Sequence, residues 1–320
     1  MTARIIGTGR AVPAEIITND DLSRIVETND EWISSRTGIR QRRIAKEETT
    51  AGLAAEAARK ALEQSGKAPE EIQLVIVATC SSDYFFPNTA CLVAKELGIR
   101  HAAGFDLSAA CTGFLYAMNT AQAYMAAGMY ENALIIGVET ISKLVDWKDR
   151  STCVLFGDGA GAAVLEAADT GFIGMVQHSD GEKADVLTCR TREMNNLLVS
   201  GDPALDYIKM EGQEVFKFAV KKVPECVEEL LEKTGVSKAE IRYYILHQAN
   251  SRIISSVAKR LKVEEDRFPM NVNLYGNTSA ASIPILLDEM NRDGRLQKGD
   301  KLLLSGFGAG LTWGAALVEW

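Results

Sequence analysis

EIQLVIVATCS, residues 71–81, is answered by EIRYYILHQAN at residues 240–250, and FGDGAGAAVLE at 156–166 is answered by FGAGLTWGAALVE at 307–319. Chance likeness of Gly-rich apolar text accounts for one such pair, but not for several in the same order. Between these anchors FDLSAACTGF, residues 105–114, faces YGNTSAASIPILLDEM, residues 275–290, an alignment that sets Asn277 opposite Cys111. Self-similarity at half the chain length predicts an α/β protein made of two βα halves, residues 1–170 and 171–320. Each half is expected to carry a mainly parallel or mixed sheet flanked by helices.

The FDLSAACTGF stretch reads as the end of a buried strand followed, from Gly113, by apolar residues at helical spacing (Phe114, Met118, Ala121, Met125) up to Gly128. Cys111 then stands where a strand hands over to a helix. Unpaired N–H groups and the helix dipole at such a place favour negative charge and are expected to lower a thiol pKa. Two further corners hold polar residues. His247 ends the apolar strand in HQAN, and Asn277 precedes a helix in GNTSAAS, where its amide either caps or faces substrate. Packed halves can turn equivalent corners into one cleft, and a thiol, an imidazole and an amide together suit acyl transfer.

Thr50–Ser65 reads as a helix closed by Gly66, EIQLVIVATCS as a buried strand, and the segment after Asn88 as a helix ending before Gly98. Thr28-Asn29-Asp30-Glu31 fits a T-x-x-E capping box, which puts Trp32 and Arg36 on one helix face, either as a base-stacking platform or as ordinary packing. Arg40, Arg42 and Arg43 form either a solvated loop or a phosphate-attracting rim. Phe86 is expected in the core, and Cys80 and Cys91 are read as packing residues. Gly157, Gly159 and Gly161 do not make G-x-G-x-x-G and lead into a strand, so they are read as permitting close backbone approach rather than binding a dinucleotide. Residues 171–207 read as an irregular crossover, and 210–235 as a long amphipathic helix carrying Lys217, Lys221 and Lys222.

Composition excludes several classes. A net charge of −8 argues against general nucleic-acid binding, and six scattered cysteines without a CxxC pair argue against a disulfide scaffold or a zinc site. MTARIIGTGR has no long apolar h-region, and no eighteen-residue apolar run occurs. Neither secretion nor a membrane span is therefore expected, and the cytoplasm is the expected location.

TNDEWISSRTGIRQR, the Cys111 segment, FGDGAGAAVLE, LHQANSRII, GNTSAASIP and FGAGLTWGAALV together resemble the β-ketoacyl-acyl carrier protein synthase III enzymes of the thiolase superfamily, over nearly the whole chain. The resemblance implies a thiolase-like αβαβα fold and a homodimer. It also implies condensation of a short acyl-CoA with malonyl-acyl carrier protein to start fatty acid synthesis, with acyl-CoA as substrate and no cofactor or metal. By motif it makes Cys111 the acylated nucleophile, with His247 and Asn277 serving malonyl decarboxylation. Trp32 and Arg150 match positions around the CoA adenine, Thr28, Arg36 and Arg252 match polar CoA contacts, and Asn250 matches a position near the thioester. Phe86 matches a residue reaching the partner's acyl pocket, and Phe307 one beside the active site. Backbone N–H groups of Cys111 and the 307–310 turn would hold the oxyanion. Ala309 departs from a common Gly run there. A basic patch of Lys217, Arg252, Lys259 and Arg260 is the expected docking surface for the acidic carrier protein.

The order Cys111, His247, Asn277 also mimics a papain-like cysteine peptidase, but C-G-[SA]-C-[WY] is absent. A non-catalytic interaction protein on the same fold would not need all three residues. A condensing enzyme of secondary metabolism would carry the same three.

Overall fold

The computed structural model describes residues Met1–Trp320. Five strands, β1 (Thr2–Ala11), β2 (Leu74–Ala78), β3 (Ala103–Leu107), β4 (Asn132–Glu139) and β5 (Gly159–Ala168), form one sheet in the order β1-β5-β4-β2-β3. Four more, β6 (Phe172–Ser179), β7 (Ile241–Leu246), β8 (Lys301–Gly308) and β9 (Thr312–Glu319), form a second in the order β7-β8-β9-β6. The repeat is visible in the orders: β2, β4, β5 and β1 correspond to β7, β8, β9 and β6. Pairing is parallel for β3-β2-β4 and for β7-β8, and antiparallel elsewhere. The sheets are therefore mixed, because β8 folds straight back into β9 and β5 returns against β4. β6, the edge of the second sheet, lies inside the stretch read as an irregular crossover. Its pattern FIGMVQHS is only partly buried, which weakened the strand signal.

The helices that matter here are α1 (Asp30–Thr37), α2 (Thr50–Ser65), α3 (Thr89–Leu97), α4 (Gly113–Ala126), α5 (Gly212–Thr234), α6 (Ser251–Leu261) and α7 (Ser282–Arg292). α2 and α3 cover the outer face of the first sheet, α5 and α6 that of the second, and α4 and α7 lie between the sheets. This is the αβαβα layering. The largest apolar cluster, 26 buried residues, is the one between the sheets. α4 supplies Phe114, Leu115, Met118 and Met125 to it, each at most 1% exposed. Burial of such a side chain contributes about 1.5–3 kcal/mol, so the central helices anchor both halves at once. Glycine lets them approach: a Cβ on Gly161 would stand 2.6 Å from the backbone nitrogen of Ile285 in α7. Close approach is thus the role of the Gly157–Gly161 run, whose residues have no positive φ.

Several local readings shift. The cap of α1 is Asn29, whose side chain accepts from Trp32 N–H at 2.7 Å, and not Thr28. Either residue type can cap, and the backbone chose the second. Arg42 is neither solvated nor a rim residue. It is fully buried and donates to the carbonyls of Ile17 and Val154 and to Asn19 Oδ1, and burial pulls its pKa down to about 10. Phe86 is 86% exposed, not in the core, and Cys80 and Cys91 are exposed too. No helix is long and apolar enough to cross a membrane.

Candidate active site

Cys111 sits in a 3₁₀ turn, Ala110–Thr112, between β3 and α4. Ala110 has φ 45°, a left-handed conformation that costs a non-glycine residue energy. The same construction recurs in the second half, where the 3₁₀ turn Ser279–Ala281 opens with Ser279 at φ 49° and runs into α7. Ser279 is therefore the counterpart of Ala110, and Ala280 that of Cys111. Asn277 stands three residues before that counterpart, so the register read from the sequence is corrected.

Burial, not the helix start, dominates the thiol. Cys111 is 8% exposed, and desolvation pushes its pKa up to about 12, opposed by a hydrogen bond with the Ser279 side chain. The expected depression is absent because so little water reaches the sulfur to stabilise a thiolate.

His247 lies at the end of β7, its N–H donating to the Ser305 carbonyl at 2.8 Å. Its Nδ1 is 2.7 Å from Ser282 Oγ, and Ser282 Oγ accepts from the Gln248 N–H at 3.2 Å. Ser282 Oγ has no other acceptor for its proton, so the proton is assigned to the bond with His247 Nδ1 and the imidazole proton to Nε2. Burial lowers the His247 pKa to about 3, so the ring is neutral at pH 7. Asn277 Oδ1 accepts from Ser279 N–H at 2.9 Å, which leaves the Nδ2 group as donor without a protein acceptor. Both residues are pinned at one end and offer an N–H at the other. Cys111 is drawn to them by shared neighbours. The Ser279–Ala281 turn packs against the Cys111 turn while its Ser279 N–H pins Asn277, and a Cβ on Gly306 would stand 3.5 Å from His247 Cβ and 3.6 Å from the Cys111 carbonyl oxygen.

A cavity of about 1380 Å³ opens on Cys111 and is walled by Cys80, Phe85, Phe86, Ser279 and Ala309 among others. Phe307 is not in that wall. It is 5% exposed and packs edge-on against the His247 ring at 5.4 Å, so its place is beside the imidazole rather than in the acyl cavity. Gly308 lets the β8–β9 turn reach the nucleophile, since a Cβ there would stand 2.8 Å from the Cys111 nitrogen. Ala309 is not left-handed, so the departure from glycine carries no backbone strain.

The residues matched to CoA gather elsewhere. Arg36 and Arg150 guanidinium carbons lie 4.8 and 5.0 Å from the Trp32 ring centroid, and Arg150 is held by the Glu27 carbonyl at 2.8 Å. Asn250 ties this platform to α6: its Oδ1 caps the helix at Arg252 N–H and its Nδ2 donates to the Arg36 carbonyl at 3.1 Å. That makes Asn250 a cap and strut in this structure. Thr28 Oγ1 is buried without a partner. Arg252 lies over Phe216 of α5 at 5.7 Å, near Arg260, which bonds the Val220 carbonyl. Lys217 pairs with Glu214 at 2.8 Å, and Lys259 is exposed on α6. No three His, Cys, Asp or Glu side chains converge as metal ligands.

Sequence reasoning missed Glu139, Ser279 and Ser282. Glu139 is fully buried at the carboxyl end of β4, where it accepts from Ser81 Oγ (2.5 Å), Cys80 N–H (3.1 Å), Thr79 Oγ1 (3.3 Å) and Ser279 Oγ (3.2 Å). An acid closing an unbroken apolar strand, at the strand end where α/β sites lie, was the available signal.

A duplicated five-layer fold, with a buried thiol on a strained corner of one half and two preset N–H donors at corners of the other, defines a condensing enzyme of the thiolase-like class. Residues 105–181 match the family model for 3-oxoacyl-[acyl-carrier-protein] synthase III, and residues 231–320 match its C-terminal model. A β-ketoacyl-[acyl-carrier-protein] synthase III of Clostridium tetani is 49% identical over 99% of this chain and 98% of its own length. The crystal structure of 3-oxoacyl-[acyl-carrier-protein] synthase III from Aquifex aeolicus superposes with a TM-score of 0.93 at 44% identity, covering 99% of this chain and 100% of that one. The enzyme of the same name from Pseudomonas aeruginosa does so with 0.93 at 40% identity, over 100% and 98%. The chain belongs to the β-ketoacyl-[acyl-carrier-protein] synthase III family, and it is an acyltransferase.

Proposed function

We propose that the chain condenses a short acyl-CoA with malonyl-acyl carrier protein, beginning fatty acid synthesis in the cytoplasm through an acyl group on Cys111. The observation that carries this reading is the pair of donors, His247 Nε2 and Asn277 Nδ2, both fixed at the far end and unpartnered at the near one. Loss of carbon dioxide from the malonyl thioester places negative charge on its carbonyl oxygen, and two preset N–H groups stabilise that enolate while its carbon attacks the acyl-Cys carbonyl. Cys111 N–H and the turn at Ala309 serve the oxyanion of the acyl transfers. The Trp32, Arg36 and Arg150 platform takes the CoA nucleotide, with Thr28 and Arg252 at its edge; no cofactor enters the reaction.

Arg252, Lys259, Arg260 and Lys217 lie on neighbouring faces of α5 and α6, beside the HQAN corner, and form the docking patch for the carrier protein. With a net charge of −8, a productive encounter with a second acidic protein needs such a patch, and its effect falls with salt. Steady-state rates with a panel of short acyl-CoA primers, using malonyl-carrier protein against malonyl-CoA over a salt series, test reaction and docking together. The expected result is β-ketoacyl-carrier protein from the short primers, and a rise of about tenfold in KM for the carrier protein alone when Arg252 and Lys259 are changed to Glu. No condensation with any primer contradicts the function. An unchanged carrier-protein KM moves the docking site elsewhere.

The homodimer is proposed on the apolar surface at the cavity wall, where Phe85 and Phe86 are 72 and 86% exposed; Leu197 and Leu198 are also bare, at 100 and 88%. A surface of this kind marks an interface. Light scattering is expected to give twice the 34.8 kDa chain mass. A monomer that condenses at full rate would remove Phe86 of a second copy from the acyl pocket.

A further inference from the structure

We propose that Glu139, acting through the Ser279 hydroxyl, receives the Cys111 proton during acylation and returns it when the Cys111 thiolate is expelled. Ser279 Oγ donates to Glu139 Oε1 at 3.2 Å, the Ser279–Ala281 turn packs against the Ala110–Thr112 turn, and Ser279 and Cys111 wall the same cavity, which puts the hydroxyl on the path from thiol to carboxylate across the two halves. With its proton on Glu139, the Ser279 oxygen has lone pairs free for the thiol proton. His247 does not fill this role, because its Nδ1 is engaged by Ser282 and its Nε2 carries a proton.

Ionising a buried thiol beside a buried carboxylate would put two negative charges in a region of low dielectric. Passing the proton along the relay keeps the total at one. Sulfur attacks the acyl-CoA carbonyl as its proton moves to Ser279 Oγ and that of Ser279 moves to Glu139. The new C–S bond forms, the bond to CoA breaks, and the CoA thiolate takes a proton from solvent. In the condensation the tetrahedral adduct expels the Cys111 thiolate, which recovers its proton from Glu139 by the reverse path. The net uptake is one proton per turnover, on CoA, as loss of carbon dioxide from the malonyl carboxylate requires. Burial supports the exchange, since it holds Glu139 at about 7 and the free thiol at about 12. At neutral pH there is no standing thiolate, and a carboxylate poised near 7 is suited to accept a proton.

The titratable groups facing Glu139 are the Cys80 and Cys111 thiols; beyond Ser82 and Thr50, Lys143 and Asp83 pair with each other at 3.4 Å. The test is the pH dependence of Cys111 alkylation by iodoacetamide, read on the Cys111 peptide by mass spectrometry. It needs no acyl-CoA, so its outcome is separate from that of the proposed function. In the native protein the rate is expected to rise through an inflection near pH 7. Glu139→Gln and Ser279→Ala should each remove that inflection and lower the rate at pH 7.5 by about 10²-fold. Glu139→Asp and Ser279→Thr should restore part of it. Ser279→Ala keeps the backbone N–H that pins Asn277, so it tests the relay without the risk to folding that a buried Glu139→Gln carries. A native profile in either Glu139→Gln or Ser279→Ala overturns the relay.

Discussion

Cys111→Ala is expected to abolish acylation by a short acyl-CoA and to lower condensation by more than about 10³-fold, because the covalent intermediate has no other place to form. Intact-protein mass spectrometry with peptide mapping reads the first effect. The native chain should gain one acyl group on the Cys111 peptide, and the variant none. The relevant rival is Cys80, which is exposed and lines the same cavity, its Sγ 3.5 Å from Ser108 Oγ. Cys153 is fully buried and out of reach. Acyl label that survives Cys111→Ala, on Cys80 or anywhere else, removes Cys111 as the nucleophile.

His247→Ala and Asn277→Ala should separate the two half-reactions. Each removes one donor aimed at an oxygen that bears charge only after decarboxylation, so condensation is expected to fall by about 10²–10³-fold, or about 3–4 kcal/mol, with acylation of Cys111 changed by less than about threefold. Single-turnover acylation followed on the same sample by malonyl decarboxylation measures both. Equal loss of the two steps for His247→Ala would make the imidazole the base that generates the thiolate. The pinning of Nδ1 by Ser282 predicts that Ser282→Ala reproduces part of the His247→Ala effect on the second step, since the tautomer is then no longer held.

Features that depend on a local signal were legible. α2 runs over the stretch read as helical and ends at Gly66, whose φ of 72° is the conformation for which glycine is used. The Cys111 corner, the HQAN corner and the echo of the two halves all follow from period and punctuation. What tertiary packing decides was not legible. Thr28 and Asn29 are both acceptable caps, and only the backbone selects between them. The left-handed φ at Ala110 and Ser279 has no sequence mark, because neither is glycine or asparagine. That omission produced the wrong register between Cys111 and Asn277. Phe86 is apolar but exposed, since a monomer's surface includes what a second copy is proposed to cover. The direction of the thiol shift was misjudged because a helix start is a local feature, whereas desolvation depends on both halves closing over the sulfur. Glu139 illustrates the same limit, as its donors come from the Thr79–Ser81 loop in one half and Ser279 in the other.

The central claim is that the acyl group on Cys111 is the substrate of the condensation. Protein acylated at Cys111 with a carbon-labelled primer, freed of CoA, and then mixed with malonyl-carrier protein puts it to direct test. The predicted result is that label leaves Cys111 and appears in β-ketoacyl-carrier protein, one molecule per acyl group, with one equivalent of carbon dioxide released. Label that stays on Cys111, or that leaves as free acid without entering the carrier-protein product, would contradict it.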